Sequence, residues 1–188
     1  MSAAGGSAER SGPPRIHVTG AAGAGVSTLG RALAEALGVP HLDTDKYYWV
    51  PSDPPFTRKR TVDERLSLVG SDMGEGGWVL AGSADGWGDP VIALARLIVF
   101  VTCPAPVRLA RLKRRERVLF GDRIDVGGDM ERIHADFMVW AAGYDDLYFG
   151  GRSLARHRNW LRGQRARVIE LAGTRPVAGL VAEVVAAI

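Results

Sequence analysis

The chain has 188 residues, enough for one domain with a buried core and too few for two catalytic domains. Hydrophobic residues make up 46% and charged residues 24%, which excludes the low-hydrophobicity, high-charge class of disordered chains, and no stretch reaches the roughly 18 apolar residues of a membrane span. The formal charge of +3 decides little, because the cations are nearly all arginine, a bias that suits bidentate phosphate recognition and that a GC-rich genome also produces.

In chain order, residues 1 to 14 (MSAAGGSAERSGPP) lack a basic start followed by an apolar run, so they read as a flexible tail on a cytoplasmic protein. Residues 15 to 19 (RIHVT) form a short β-rich run that ends in a glycine loop. Leu29, Leu33 and Leu37 then recur at a spacing of four, which predicts a helix. Ser27 or Thr28 is expected to cap its start, and Gly38 to stop it. Further strands are predicted at 40 to 43, 78 to 82, 97 to 102 and 167 to 171. Helices are predicted at about 61 to 74, 105 to 120, 131 to 162 with breaks near Gly143 and Gly150, and 176 to 187. Short apolar strands alternating with helices predict a doubly wound α/β fold, a parallel five-stranded sheet covered on both faces with right-handed crossovers. A single domain over 15 to 188 is expected. Two insertions interrupt it: 44 to 60, rich in proline and aromatics, and 121 to 129, rich in Gly and Asp. Both are candidates for mobile segments at the carboxyl ends of the strands. Cys103 is the lone cysteine, cannot form an intramolecular disulfide, and reads as a buried thiol.

The segment Gly20-Ala-Ala-Gly23-Ala24-Gly25-Val26-Ser27-Thr28 fits the phosphate-loop spacing G-x-x-x-x-G-K-[ST] at every fixed place but the lysine, which is Val26. Glycines let backbone N–H groups turn inward as an anion nest, the following helix adds its positive end, and the Ser27 hydroxyl falls where Mg²⁺ is usually bound. The bland reading is a tight turn beneath a helix. A dinucleotide fingerprint is disfavoured, because the order G-x-x-G-x-G is not G-x-G-x-x-G and no Tyr-x-x-x-Lys follows.

Asp43 and Asp45 fall at the predicted tip of the second strand. One could face Mg²⁺ and the other a substrate hydroxyl, or the pair could be an Asx turn with solvent-facing charge. Seven cations, among them Arg108, Arg111, Arg115 and Arg123, crowd into residues 108 to 123. Arg111 and Arg115 are four apart and share a helix face, which suits one triphosphate and is equally compatible with a solvated basic helix. Tyr47, Tyr48, Trp49, Phe56 and Trp87 could line an acceptor pocket or pack a loop, while His134 and His157 read as surface or core residues. No Cys/His spacing points to zinc, and no aromatic motif interleaves the arginines as nucleic-acid binding would require.

The glycine loop, the His41-Leu-Asp-Thr-Asp45 segment, VLAGS after the third strand, and the run PAPVRLARLKRRERV before a glycine-rich lid resemble the adenylate kinase and shikimate kinase group of P-loop kinases. The similarity spans roughly 15 to 185. It is greatest to bacterial adenylate-kinase-like proteins that share a Gly-Trp-Gly-Asp segment and a late Arg-Ser-Leu-x-x-His. The resemblance implies a nucleoside-monophosphate-kinase-like P-loop fold, an ATP donor with Mg²⁺, an acceptor-binding insertion at about 44 to 75 and a lid at about 118 to 132. It also implies roles: residues 20 and 23 to 28 on the nucleotide, Ser27 and Asp43 on the metal, Asp45 on the acceptor, and Arg111 and Arg115 on ATP, with Asp45, Arg111 and Arg115 catalytic. The sequence departs from adenylate kinases after the third strand, where Ala81-Gly-Ser-Ala-Asp85-Gly-Trp87 replaces an Asp-Gly-Phe-Pro-Arg type of segment, so AMP is disfavoured as acceptor. It departs again at Val26, a change that could cost on the order of 3 kcal/mol of transition-state stabilisation. The expected function is ATP-dependent phosphoryl transfer to a small acceptor. The alternatives are a degenerate nucleotide-binding protein, a Rossmann oxidoreductase, and a sulfotransferase, the last lacking its Pro-Arg-Ser-Gly lead-in.

Overall fold

The computed structural model describes residues 12–188. Most of the expected tail lies outside them, but its last residue already belongs to the fold, since the Pro14 carbonyl accepts a hydrogen bond from Trp78 N at 2.8 Å. Five strands, β1 (Arg15–Gly20), β2 (His41–Asp43), β3 (Trp78–Ala81), β4 (Leu97–Thr102) and β5 (Arg167–Ala172), form one parallel sheet in the order β2-β3-β1-β4-β5. The register aligns Ile16 with Val79 on one side and Leu97 on the other, so alternate residues of neighbouring strands build common faces.

One face carries Val18, Ala81, Val99 and Val101 and is covered by α1 (Val26–Leu37) and, later in the chain, α8 (Val177–Ala187), through Leu29, Leu33, Leu180 and Val184. The other face carries Trp78, Leu80, Ile98 and Phe100. It is covered by α3 (Val62–Met73) and α7 (Leu154–Arg162), through Val69, Met73 and Leu161. This double burial is why the strands read as apolar runs rather than as alternating ones.

Three features differ from the sequence reading. The first helix begins at Val26 with Gly25 as its N-cap and no side-chain cap, so Ser27 and Thr28 are its second and third residues, both exposed. The first insertion opens with a short helix, α2 (Thr44–Tyr48), because Asp43 N-caps it by accepting from Asp45 N at 3.0 Å. A second short helix, α4 (Asp89–Ile92), follows β3. The helix α3 is closed by a capping box between Thr61 and Glu64, a sequence signal that was present but unused.

The basic segment forms α5 (Ala105–Phe120), whose buried face is Arg108, Leu112 and Glu116 at a spacing of four. A 3-10 turn at Gly121–Ile124 leads to α6 (Glu131–Ala142). The second insertion is tied in place, since Arg123 bridges Asp129 at 2.5 Å and, across the chain, Asp53 at 2.6 Å. Phe56 meets Phe120 edge to face beside this bridge, so the tips of the two insertions touch. Among the described residues no helix is long and apolar enough to cross a membrane.

Candidate active site

The carboxyl ends of the strands open into a cleft of about 1440 Å³. Residues 20 to 28, Asp43, Asp45, Arg111 and Arg115 all line it, so the residues singled out from the sequence are brought together. The loop owes its shape to two glycines. Gly23 (φ 79°) lies so close to the Arg108 carbonyl that any Cβ would collide with it, and Gly25 (φ 104°) makes the left-handed step that starts α1. That step leaves the free N–H groups of the first helical turn at the cleft, where an anion would find them.

Val26 takes no part in this polar surface. Only 9% exposed, it belongs to the core cluster with Val101 and Leu171. The cation nearest the loop comes from α5: Arg111 Nη1 stands 3.9 Å from where a Cβ on Gly25 would sit, held by the Gly173 carbonyl at 3.0 Å. Arg115 is held by its neighbour Glu116, which accepts from Nε at 3.1 Å and from Nη2 at 2.8 Å. Arg123 cannot serve the loop in this arrangement, because its guanidinium is engaged by two aspartates. Arg108 lies apart from the cleft surface. It is fully buried, donating to the Ala141 carbonyl and pairing with Asp145 at 2.6 Å, so this arginine is structural rather than solvated.

One oxygen of Asp43 caps α2, which is the Asx-turn reading, and the residue also lines the cleft. Asp45 opens to solvent through the cleft but is hemmed in by protein on its other sides. That enclosure pushes its carboxyl above the usual carboxylate range. Asp43 pushes the same way, and Arg115 and Arg152 oppose it. Among the described residues no three His, Cys, Asp or Glu side chains form a metal site by themselves. Ser27 and Asp43, the side chains that the resemblance puts on a metal, both line the cleft.

The aromatic residues divide. Tyr48, Trp49, Phe56 and Trp87 line the cleft, whereas Tyr47 turns into the core and donates to Asp72 at 3.0 Å. Cys103 is only half-buried, with Arg111 Nη1 3.8 Å from its Sγ. His157 is a core residue as expected. Its Nε2 meets Thr19 Oγ1 at 3.1 Å and its Nδ1 meets Tyr144 OH at 3.0 Å, so it braces the strand that leads into the loop. Burial lowers its pKa, and that of buried His17 beside it, to about 4.

Several cleft residues, Asp85 and Arg152 among them, were not singled out in the sequence. Asp85, after β3, accepts from Ser83 Oγ, and Arg152, just before α7, lies over the Trp140 ring at 5.3 Å. Both stand in segments already noted as unusual, Ala-Gly-Ser-Ala-Asp-Gly-Trp and Arg-Ser-Leu-x-x-His, and that was the available signal.

No family model matches the chain. It is 38% identical over 157 residues to the uncharacterized protein YqaC of Bacillus subtilis (strain 168), covering 83% of this chain and 86% of that one. The chain belongs to the YqaC family. Among solved structures, the family's fold is shared with a shikimate kinase from Acinetobacter baumannii in complex with shikimate. There the TM-score is 0.52 at 16% identity, over 92% of this chain and 91% of that one. A sugar kinase from Janibacter sp. HTCC2649 gives a TM-score of 0.51 at 13% identity, with 93% of each chain covered. Identities this low establish the fold, a five-stranded parallel P-loop kinase-like α/β architecture, and nothing finer.

Proposed function

We propose that this protein transfers the γ-phosphoryl group of ATP, with Mg²⁺, to a small acceptor on the Asp45 side of the cleft. The observation that carries the reading is the sharing of one cleft by a glycine loop at the start of α1, two arginines of α5, and the carboxylates of Asp43 and Asp45. The kinases among the solved structures with this fold, one of them bound to shikimate, accord with it.

In this reading the N–H groups of Gly23 and of residues 25 to 28 hold the β- and γ-phosphates against the start of α1, while Ala24 N–H is spent on the Ala21 carbonyl within the loop. Arg111 supplies beside Gly25 the positive charge that Val26 does not, and Arg115, fixed by Glu116, adds a second. Ser27 and Asp43 would hold Mg²⁺, which when bound offsets phosphate charge. Asp45 orients the acceptor hydroxyl and takes its proton as the oxygen bonds to the γ-phosphorus and the bond to the β-phosphate oxygen breaks, releasing ADP. The insertion at about 44 to 75 contributes the acceptor wall, and the segment at about 118 to 132 acts as the lid that excludes water. A second reading, nucleotide binding without turnover, is favoured by one observation: Val26 is a core residue with no donor to offer.

The deciding experiment is a thermal-shift comparison of MgATP and NAD. MgATP is expected to raise the melting temperature by mass action and NAD to leave it unchanged. A shift with NAD and none with any triphosphate overturns the reading.

A further inference from the structure

Arg152 is a cation of the cleft with an unsatisfied buried donor. Its Nε is buried without a hydrogen-bond partner, and among the described residues no carboxylate approaches it within ion-pair distance. Burial lowers the pKa of its guanidinium, while Asp85, Tyr144 and Asp45 act to keep it charged. A cation and two carboxylates therefore face the same space, near enough to influence one another yet not touching. An orphaned buried donor is costly, and a ligand that pairs with it removes the cost.

The charges limit what that ligand can be. A phosphate or carboxylate would satisfy Arg152 but place a third negative charge beside Asp45 and Asp85, and Arg115, the other cation acting on Asp45, is already held by Glu116. A hydroxyl has a proton for a carboxylate and lone pairs for a guanidinium, so hydroxyl groups fit between these residues and leave none unpaired. Trp87 and Trp140 line the same cleft and offer apolar surface to the carbon skeleton of a ring.

We infer that the acceptor is an uncharged polyhydroxylated ring compound, such as a sugar, cyclitol or nucleoside, whose hydroxyls lie between Arg152 and the carboxylates of Asp85 and Asp45. The inference rests on the phosphotransferase reading above. The hydroxyl nearest Asp45 attacks the γ-phosphorus and gives its proton to that carboxylate, ADP leaves, and the product is the phosphate ester. Arg152 and Asp85 hold the remaining hydroxyls and so set specificity.

The test compares matched acceptors in the presence of Mg²⁺ and a nonhydrolysable ATP analogue: ribose with ribose 5-phosphate, glucose with gluconate, adenosine with AMP, and myo-inositol alone. At least one neutral compound is expected to raise the melting temperature beyond the analogue's own shift, to exceed its charged counterpart where it has one, and to be phosphorylated when ATP replaces the analogue. Asp85→Asn and Arg152→Gln are each expected to lower kcat/KM for that acceptor at least tenfold, with a much smaller change in KM for ATP. Asp85→Asn, the milder change, suffices if Arg152→Gln fails to fold. Preference for a charged member, or no response to any neutral compound while the analogue still protects, overturns the inference and leaves the phosphotransferase reading standing. If the analogue itself gives no shift, the underlying reading falls and the inference falls with it.

Discussion

The two halves of the cleft are built differently. On the side proposed for the nucleotide the polar groups are mainly backbone N–H groups from one run of nine residues, fixed by positive-φ glycines and by packing of Val26 into the core. On the side proposed for the acceptor they are side chains from separate segments, Asp45 at the start of α2, Asp85 after β3 and Arg152 before α7, brought together by strand order. The first kind of site owes its shape to the backbone, and in the proposed function it reads what all triphosphates share. The second can change its specificity by single substitutions without disturbing the fold.

The sharpest probe of this contrast is Asp45→Asn. If Asp45 serves the acceptor alone, turnover should fall on the order of a thousandfold, about 4 kcal/mol in the barrier, while MgATP protection in a thermal shift stays near that of the parent protein. Wild-type turnover would remove Asp45 from the chemistry.

The helix α5 allows a second contrast. Arg108→Ala removes a fully buried guanidinium and its link to Asp145, and is expected to cost on the order of 3 kcal/mol in denaturant unfolding. Arg111→Ala, three residues on, should weaken ATP binding with little loss of stability. Equal small effects from both would mean that the two faces of α5 are not specialised as described.

Per unit of pH, the smallest effect concerns the histidines beneath the loop. Burial holds His17 and His157 neutral, with folded pKa values of about 4 against 6.5 in the unfolded chain. As pH falls the unfolded chain takes up these protons first. Their stability contribution is therefore full above about pH 6.5 and declines by about 1.4 kcal/mol per pH unit for each imidazole down to about pH 4, flattening below. Asp45, raised by burial, contributes with the opposite sign, its share being lost as pH rises through its folded value. Unfolding free energies of His157→Gln that keep the parent's full acid slope would show that this imidazole is not held neutral.

How much of this the sequence discloses follows from the same division. The glycine loop and the Asp43–Asp45 pair are contiguous, and their chemistry depends on spacing alone, so both are legible with the sheet that carries them. Asp85 and Arg152 are 67 residues apart in sequence and share a cleft only because β3 lies beside β1 and α7 packs across the same face. The Arg-Ser-Leu-x-x-His segment marks the place of Arg152, but its surroundings in the cleft are not legible from the residues beside it. Arg108 misleads for the same reason. Helical spacing separates its face from that of Arg111, but which face meets α6 depends on how the chain returns after residue 121. The helix start was misplaced because Ser and Thr are good caps in isolation, whereas here the glycine step at residue 25 sets the boundary.

The Arg123 bridge gives the two insertions a common fate. Exposed ion pairs of this kind contribute about 1 kcal/mol at most, not far above thermal energy, and are weakened by salt. With Phe56 against Phe120 they tether the segment before α3 to the segment after α5 without locking either. In the proposed function these segments are the acceptor wall and the lid, and this tether would couple the opening of one to the opening of the other.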